Sequence, residues 1–126
     1  MSNESKGSPG FKTRNSLMVE KISVTTDGTG AASVDSGIII GKILQIIYDK
    51  DSVNSGTTAV LTMKNPTITP QIDSYDVNTG DAIRTVEQKI IGSTDAYRNY
   101  VCNGAINVAV SGGAASKHFD VYIYYE

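Results

Sequence analysis

The chain has 126 residues, enough for one domain with a buried core. Charged residues make up 19% and the net charge is −2, so there is no broad basic field for nucleic acid or anionic lipid. Cys102 is the single cysteine, which excludes an intramolecular disulfide and a thiolate metal cluster and fits a small buried hydrophobe.

Residues 1–16 form an expected N-terminal arm, rich in Ser, Asn, Gly and Lys and interrupted by Pro9-Gly10. Such a composition buries too little apolar area to offset its ordering entropy, so alone it is expected to be flexible. It reads either as a loose tail or as an arm that orders on a partner, with Phe11 as apolar anchor and Lys12 and Arg14 as charged contacts. No positive-then-apolar signal pattern opens the chain, so export by that route is not expected.

Residues 17–126 read as one β-sandwich domain. The first strand, residues 17–26, carries Leu17, Val19, Ile22 and Val24. Asp27-Gly28-Thr29-Gly30 is a tight turn, and the Asp-Gly pair predicts a hairpin with a short return strand over residues 31–34. Residues 38–48 are the most apolar strand. Apolar residues at both parities predict a central strand buried on both faces, or a bulge at Gly41. The run is broken by Lys42 and Gln45, so neither it nor any other stretch approaches the ~20 apolar residues of a membrane span.

Residues 49–56 are a polar loop, 57–63 a β-branched strand, 64–70 a loop holding Pro66 and Pro70, and 71–77 a weaker strand. Asn78-Thr79-Gly80-Asp81 turns the chain. Residues 82–91 fit both a helical and a strand spacing, and their β-branched content favours a strand. After a loop at 92–96, residues 97–101 lead to the closing stretch, residues 104–125. There Ile106, Val108 and Val110 fall two apart, as do Phe119, Val121, Ile123 and Tyr125, around the small-residue run 111–116. That pattern predicts a C-terminal β-hairpin around which the sheet is built. The whole is about seven to nine short antiparallel strands, an all-β sandwich or jelly roll.

No catalytic constellation stands out. His118 is the only histidine and reads as a solvent-facing strand residue. Asp49, Asp51 and Asn54 have a calcium-like spacing, but the EF-hand's sixth and twelfth positions hold Asn54 and Val60 instead of Gly and Glu. Asp73 and Asp76 read as solvated acids flanking a turn rather than a catalytic pair. Gly28 and Gly30 precede no helix, so they form no dinucleotide loop. Tyr122 and Tyr124 fall opposite Val121 and Ile123. They suit a protein interface or sugar stacking if exposed, and a second buried face if the strand is central. Both readings stay open.

The segments Val24-Thr-Thr-Asp-Gly-Thr-Gly-Ala-Ala-Ser33, Gly41-Lys-Ile-Leu-Gln-Ile-Ile-Tyr48, Gly56-Thr-Thr-Ala-Val-Leu-Thr-Met63 and Gly104-Ala-Ile-Asn-Val-Ala-Val-Ser-Gly-Gly, with the ending Val121-Tyr-Ile-Tyr-Tyr125, together resemble small structural virion proteins of tailed bacteriophages. The likeness is one of pattern over residues 19–126. It implies a non-catalytic β-sandwich without cofactor, made in the host cytoplasm and carried on the capsid surface as a decoration or cement protein. Its partners would be the major capsid protein and copies of itself, in trimers or other multiples, with neither nucleic acid nor membrane. The partner-binding residues on this reading are Phe11, Lys12, Arg14, Tyr122 and Tyr124. A neck, tail or tail-tip subunit is the alternative within the particle, and a carbohydrate-binding module using Tyr122 and Tyr124 is the alternative of another class.

Overall fold

A computed structural model describes residues 16–53, 57–64, 69–89 and 97–126. The strands are β1 (Met18–Thr25), β2 (Ala32–Asp35), β3 (Ile39–Lys50), β4 (Thr58–Met63), β5 (Gln71–Asp76), β6 (Ala82–Arg84), β7 (Glu87–Lys89), β8 (Tyr97–Asn99), β9 (Val101–Gly104), β10 (Ile106–Ser111) and β11 (His118–Tyr125). A 3-10 turn, Val77–Thr79, follows β5, capped by Asp76, whose carboxylate accepts the Asn78 N–H at 3.0 Å. Among the described residues no helix is long and apolar enough to cross a membrane.

Every ladder is antiparallel. One sheet has the order β1-β11-β3-β6, with β9 pairing the first half of β3; the other has the order β2-β10-β4-β5. Strands consecutive in the chain therefore mostly change sheets, which is the double Greek-key path of a jelly roll. β7 and β8 pair only with each other and form a small side ribbon.

The alternating runs supply the core. Phe119, Val121, Ile123 and Tyr125 of β11 face Leu61 and Met63 of β4 and Ile106, Val108 and Val110 of β10 across the inter-sheet space, joined by Ile22, Val24, Ile43, Ile46 and Tyr48. Each such side chain taken from water contributes about 1.5–3 kcal/mol before entropy is counted. The other parity of β11 (His118, Asp120, Tyr122, Tyr124) points outward and is half-buried. The expected sandwich is thus present, and β11 and β3 are its central strands.

Several local expectations are corrected. The runs in residues 104–125 are not a paired hairpin. β10 lies in one sheet and β11 in the other, so residues 112–117 cross between sheets. The same holds for β1 and β2 around Asp27-Gly28. Here Asp27 organises a crossover turn, its Oδ1 accepting from Thr29 N–H at 2.8 Å, Thr29 Oγ1 at 2.8 Å and Ala31 N–H at 3.1 Å. Period two reports which face a side chain takes, and a strand of either sheet satisfies it.

β3 does carry a bulge, at Leu44 rather than at Gly41: Tyr124 sits opposite Gln45 while Tyr125 sits opposite Ile43. The extra residue lets Ile43 and Ile46 both face the core although three apart. Gly41 has another duty. Its φ is +143°, and a Cβ there would lie 2.4 Å from the Glu126 carbonyl oxygen, so a side chain would break the last rung of the β3–β11 ladder. Residues 82–89 are strand, as their composition favours, but interrupted at Thr85 and the buried Val86 into β6 and β7. Asp49 and Lys50, expected in the following loop, belong to β3.

Candidate functional site

The outer face of the β1-β11-β3-β6 sheet holds the most chemically distinctive surface. Register fixes what meets there. Lys21, Tyr122, Ile47 and Ile83 form one row across four strands, and Val19, Tyr124 and Gln45 form the next. β1 supplies Val19 and Lys21 because its other parity, Ile22 and Val24, is in the core. Lys21 Nζ sits 5.8 Å from the Tyr122 ring centroid, a cation–π contact at the surface.

Two regions divide this face. At one end of the sheet Leu17, Met18, Val19, Ile38, Ile40 and Val101 are each half or more exposed. Register puts Val19, Ile40 and Val101 on the outer face, whereas Met18, level with the buried Tyr125, stands on the core parity at the sheet's edge. Met18 lies opposite Tyr125, Lys42 exchanges backbone hydrogen bonds with Glu126 (2.8 and 3.1 Å), Val101 pairs with Lys42, and Ile40 pairs with Asn103 on the same edge. Exposed apolar side chains scattered singly are ordinary, but a contiguous cluster marks an interaction surface.

Toward the other end, Ile47, Tyr48, Asp49, Asp81, Tyr122 and Tyr124 line a groove of about 260 Å³. Ile83, 69% exposed and opposite Ile47, stands at its side. Asp81 is held in place because its Oδ1 accepts the Lys50 N–H at 2.8 Å. The groove therefore combines amphipathic rings, an aliphatic wall and carboxylates. It can take an aromatic or aliphatic group together with a hydrogen-bond donor or cation.

Beyond this face, two titratable clusters are built into the fold. Asp73, expected to be a solvated turn acid, is instead buried. Its Oδ2 accepts the Tyr48 hydroxyl and Arg84 Nε, and its Oδ1 accepts Arg84 Nη2, each at 2.8 Å. Burial alone would push the Asp73 carboxyl up, but the bonds from Arg84 and Tyr48 outweigh it and hold the carboxyl below its ordinary value. Burial, then the adjacent carboxylate, pushes the Tyr48 hydroxyl well above its ordinary range. Tyr75 stacks on Tyr48 with centroids 4.8 Å apart and lies 5.0 Å from the Arg84 guanidinium. Every polar group named there has a partner, which describes a structural clamp. Asp76, its supposed mate, caps the 3-10 turn.

His118, expected to face solvent, is half-buried between carboxylates. Nδ1 lies 3.2 Å from Asp51 Oδ2 and Nε2 lies 3.3 Å from Asp120 Oδ1, the latter an oxygen with no aligned donor. Neighbouring strand ends bring these groups together, so the spacing of residues 49–54 had no bearing on it. Asn54 lies outside the described residues. Cys102 is buried, its Sγ directed at the Gly104 carbonyl at 3.4 Å, and burial raises its thiol pKa, in keeping with the small-hydrophobe reading.

Of the five residues singled out for partner binding, Tyr122 and Tyr124 meet in the groove, both half-buried with an outward-facing ring; Phe11, Lys12 and Arg14 lie outside the described residues. Sequence reasoning missed Asp49, Asp81, Ile47 and Ile83, which join the tyrosines only through strand pairing. It also missed the apolar end. The apolar run at residues 38–48 reads as a strand buried on both faces or bulged, yet the parity of Ile38 and Ile40 against the buried Ile39 and Ile43 sets them on the opposite, exposed face. No known family model and no curated protein matches the chain.

Proposed function

We propose that this chain is a non-catalytic structural protein of tailed-phage particles, a decoration or cement protein that binds the head shell through the apolar end of its outer sheet face. The observation that carries the reading is the set of exposed apolar side chains at one end of that sheet, Leu17, Val19, Ile38, Ile40 and Val101, with Met18 at its edge. Exposed apolar side chains at one end of a sheet, set beside a polar and weakly charged surface, have the make-up of a docking site. The low charge of the chain and its pattern likeness to virion proteins support the same reading. Many modest contacts of this kind, acting together over a shell, add to a large total resistance to internal pressure. The jelly roll itself is no argument, since that architecture serves many functions.

Quantitative mass spectrometry of purified particles tests it. Abundance of the same order as the main shell protein is the expected result. A small fixed ratio would move the chain to the neck or tail, and absence from particles would overturn the structural reading in favour of a glycan-binding module built on Tyr122 and Tyr124.

A further inference from the structure

The groove adjoins the apolar end at the Val19–Tyr124 pair but has a composition of its own. It offers two tyrosine rings, Ile47, and the carboxylates of Asp49 and Asp81. At about 260 Å³ it is smaller than the ~300–1,000 Å³ of most small-molecule sites and suits one or two side chains of a peptide. The chain itself carries a matching segment. Residues 1–15 hold Lys6, Lys12 and Arg14 against the single acid Glu4, whereas the remainder of the chain is net acidic, and Phe11 is the segment's one aromatic. An aromatic followed closely by two cations is the complement of a tyrosine-lined groove with two carboxylates.

We propose that residues 11–14 of one copy dock in the groove of a second copy, Phe11 against the Tyr122–Ile47 wall and Lys12 and Arg14 toward Asp49 and Asp81. Reach favours a second copy over the chain's own groove. Met18 is level with Tyr125, and Asp49 is level with Asp120, two strands across and five residues along the sheet. That offset is about 19 Å at ordinary strand rise and spacing. Four extended residues from Met18 back to Arg14 span at most about 14 Å, and reversing over β11 consumes about half of them. The chain's own Arg14 could therefore meet the carboxylates only with its side chain and theirs at full stretch, which costs the rotamer freedom of both, and Asp81, bonded beside Lys50, is no nearer. A neighbouring copy has no such limit. The contact joins copy to copy and leaves Ile38, Ile40 and Val101 free for another partner, and it does not depend on the virion reading.

The test mixes two full-length variants, Phe11→Cys and Ile83→Cys, under mild oxidation and follows the cross-linked dimer by mass spectrometry. Ile83 is exposed beside the groove, and the native Cys102 is buried and stays silent. The control partner is Ser33→Cys, exposed on β2 of the opposite sheet. Docking raises the local thiol concentration, so the first pair should link at least about tenfold faster than the control. Adding Asp49→Lys to the Ile83→Cys chain, or raising salt to about 1 M, should remove most of that advantage. Equal rates for the two pairs overturn the proposal. So does a chain carrying both Phe11→Cys and Ile83→Cys that links only within itself at low concentration. Saturable binding of a neutral oligosaccharide, with no cross-linking preference, would assign the groove to a glycan instead.

Discussion

Arg84 on β6 grips both carboxylate oxygens of Asp73 on β5, Nε to Oδ2 and Nη2 to Oδ1 at 2.8 Å each, and so ties one sheet to the other at the edge where the chain crosses between them. The Tyr48 hydroxyl adds a third bond from the core side. Asp73 is 8% exposed, so removing its cation would leave a charge with little access to water. Arg84→Met should cost about 3 kcal/mol, and adding Asp73→Asn to that variant should restore part of it. Urea unfolding of the two variants checks both signs.

Acid should weaken the same clamp. The Asp73 carboxyl is held below its ordinary 3.8 when folded. The unfolded chain therefore binds the proton first as pH falls, and the stability contributed by the ionised carboxylate is complete above about pH 5 and is lost below 4. Unfolding midpoints between pH 7 and 3 should fall less steeply for Asp73→Asn than for the native chain. Equal slopes would show that other carboxylates dominate acid unfolding.

Gly30 and Gly113 bring two of the inter-sheet crossovers, β1 to β2 and β10 to β11, into backbone contact. The Gly113 N–H donates to the Gly30 carbonyl at 3.2 Å, Gly30 has φ +81°, and a Cβ on Gly30 would fall 1.7 Å from the Gly113 carbonyl oxygen. Gly30→Ala should therefore destabilise by at least about 2 kcal/mol, through both the left-handed backbone and the clash. Gly28, two residues earlier, has nothing within 4 Å of an added Cβ, so Gly28→Ala should be mild by comparison. Thermal melts of the pair separate crowding at the crossover from a general intolerance of the turn.

Substitutions at the apolar end should leave folding intact and reduce attachment. Ile38 is 67% and Ile40 68% exposed, so Ile38→Lys with Ile40→Lys should change stability by less than about 0.5 kcal/mol. On the proposed function, the same double variant should bind particles stripped of the native protein at least tenfold more weakly, about 1.4 kcal/mol. Undiminished binding would move the docking surface elsewhere.

The sequence by itself determined most of the strands and, where apolar residues fall strictly two apart, which side of the strand is apolar. Phe119, Val121, Ile123 and Tyr125 alternate with polar or amphipathic neighbours, and burial follows that alternation in β11, β10 and β4. It also set Tyr122 and Tyr124 on the face opposite Val121 and Ile123, since parity is a local property of the backbone, while the structure decided that this face is the outer one. Partner choice is not local. Only the tertiary structure decided that β10 and β11 part into opposite sheets, that the bulge at Leu44 turns Ile46 inward, and that Arg84 finds Asp73. The groove belongs to the same class: Asp81, Ile47 and Tyr122 are far apart in the chain and meet because β3 pairs with β11 on one edge and β6 on the other. Alternation sets the face of each side chain through the geometry of a single strand, whereas neighbours are set by packing the two sheets, a sum over contacts that no short stretch of sequence contains.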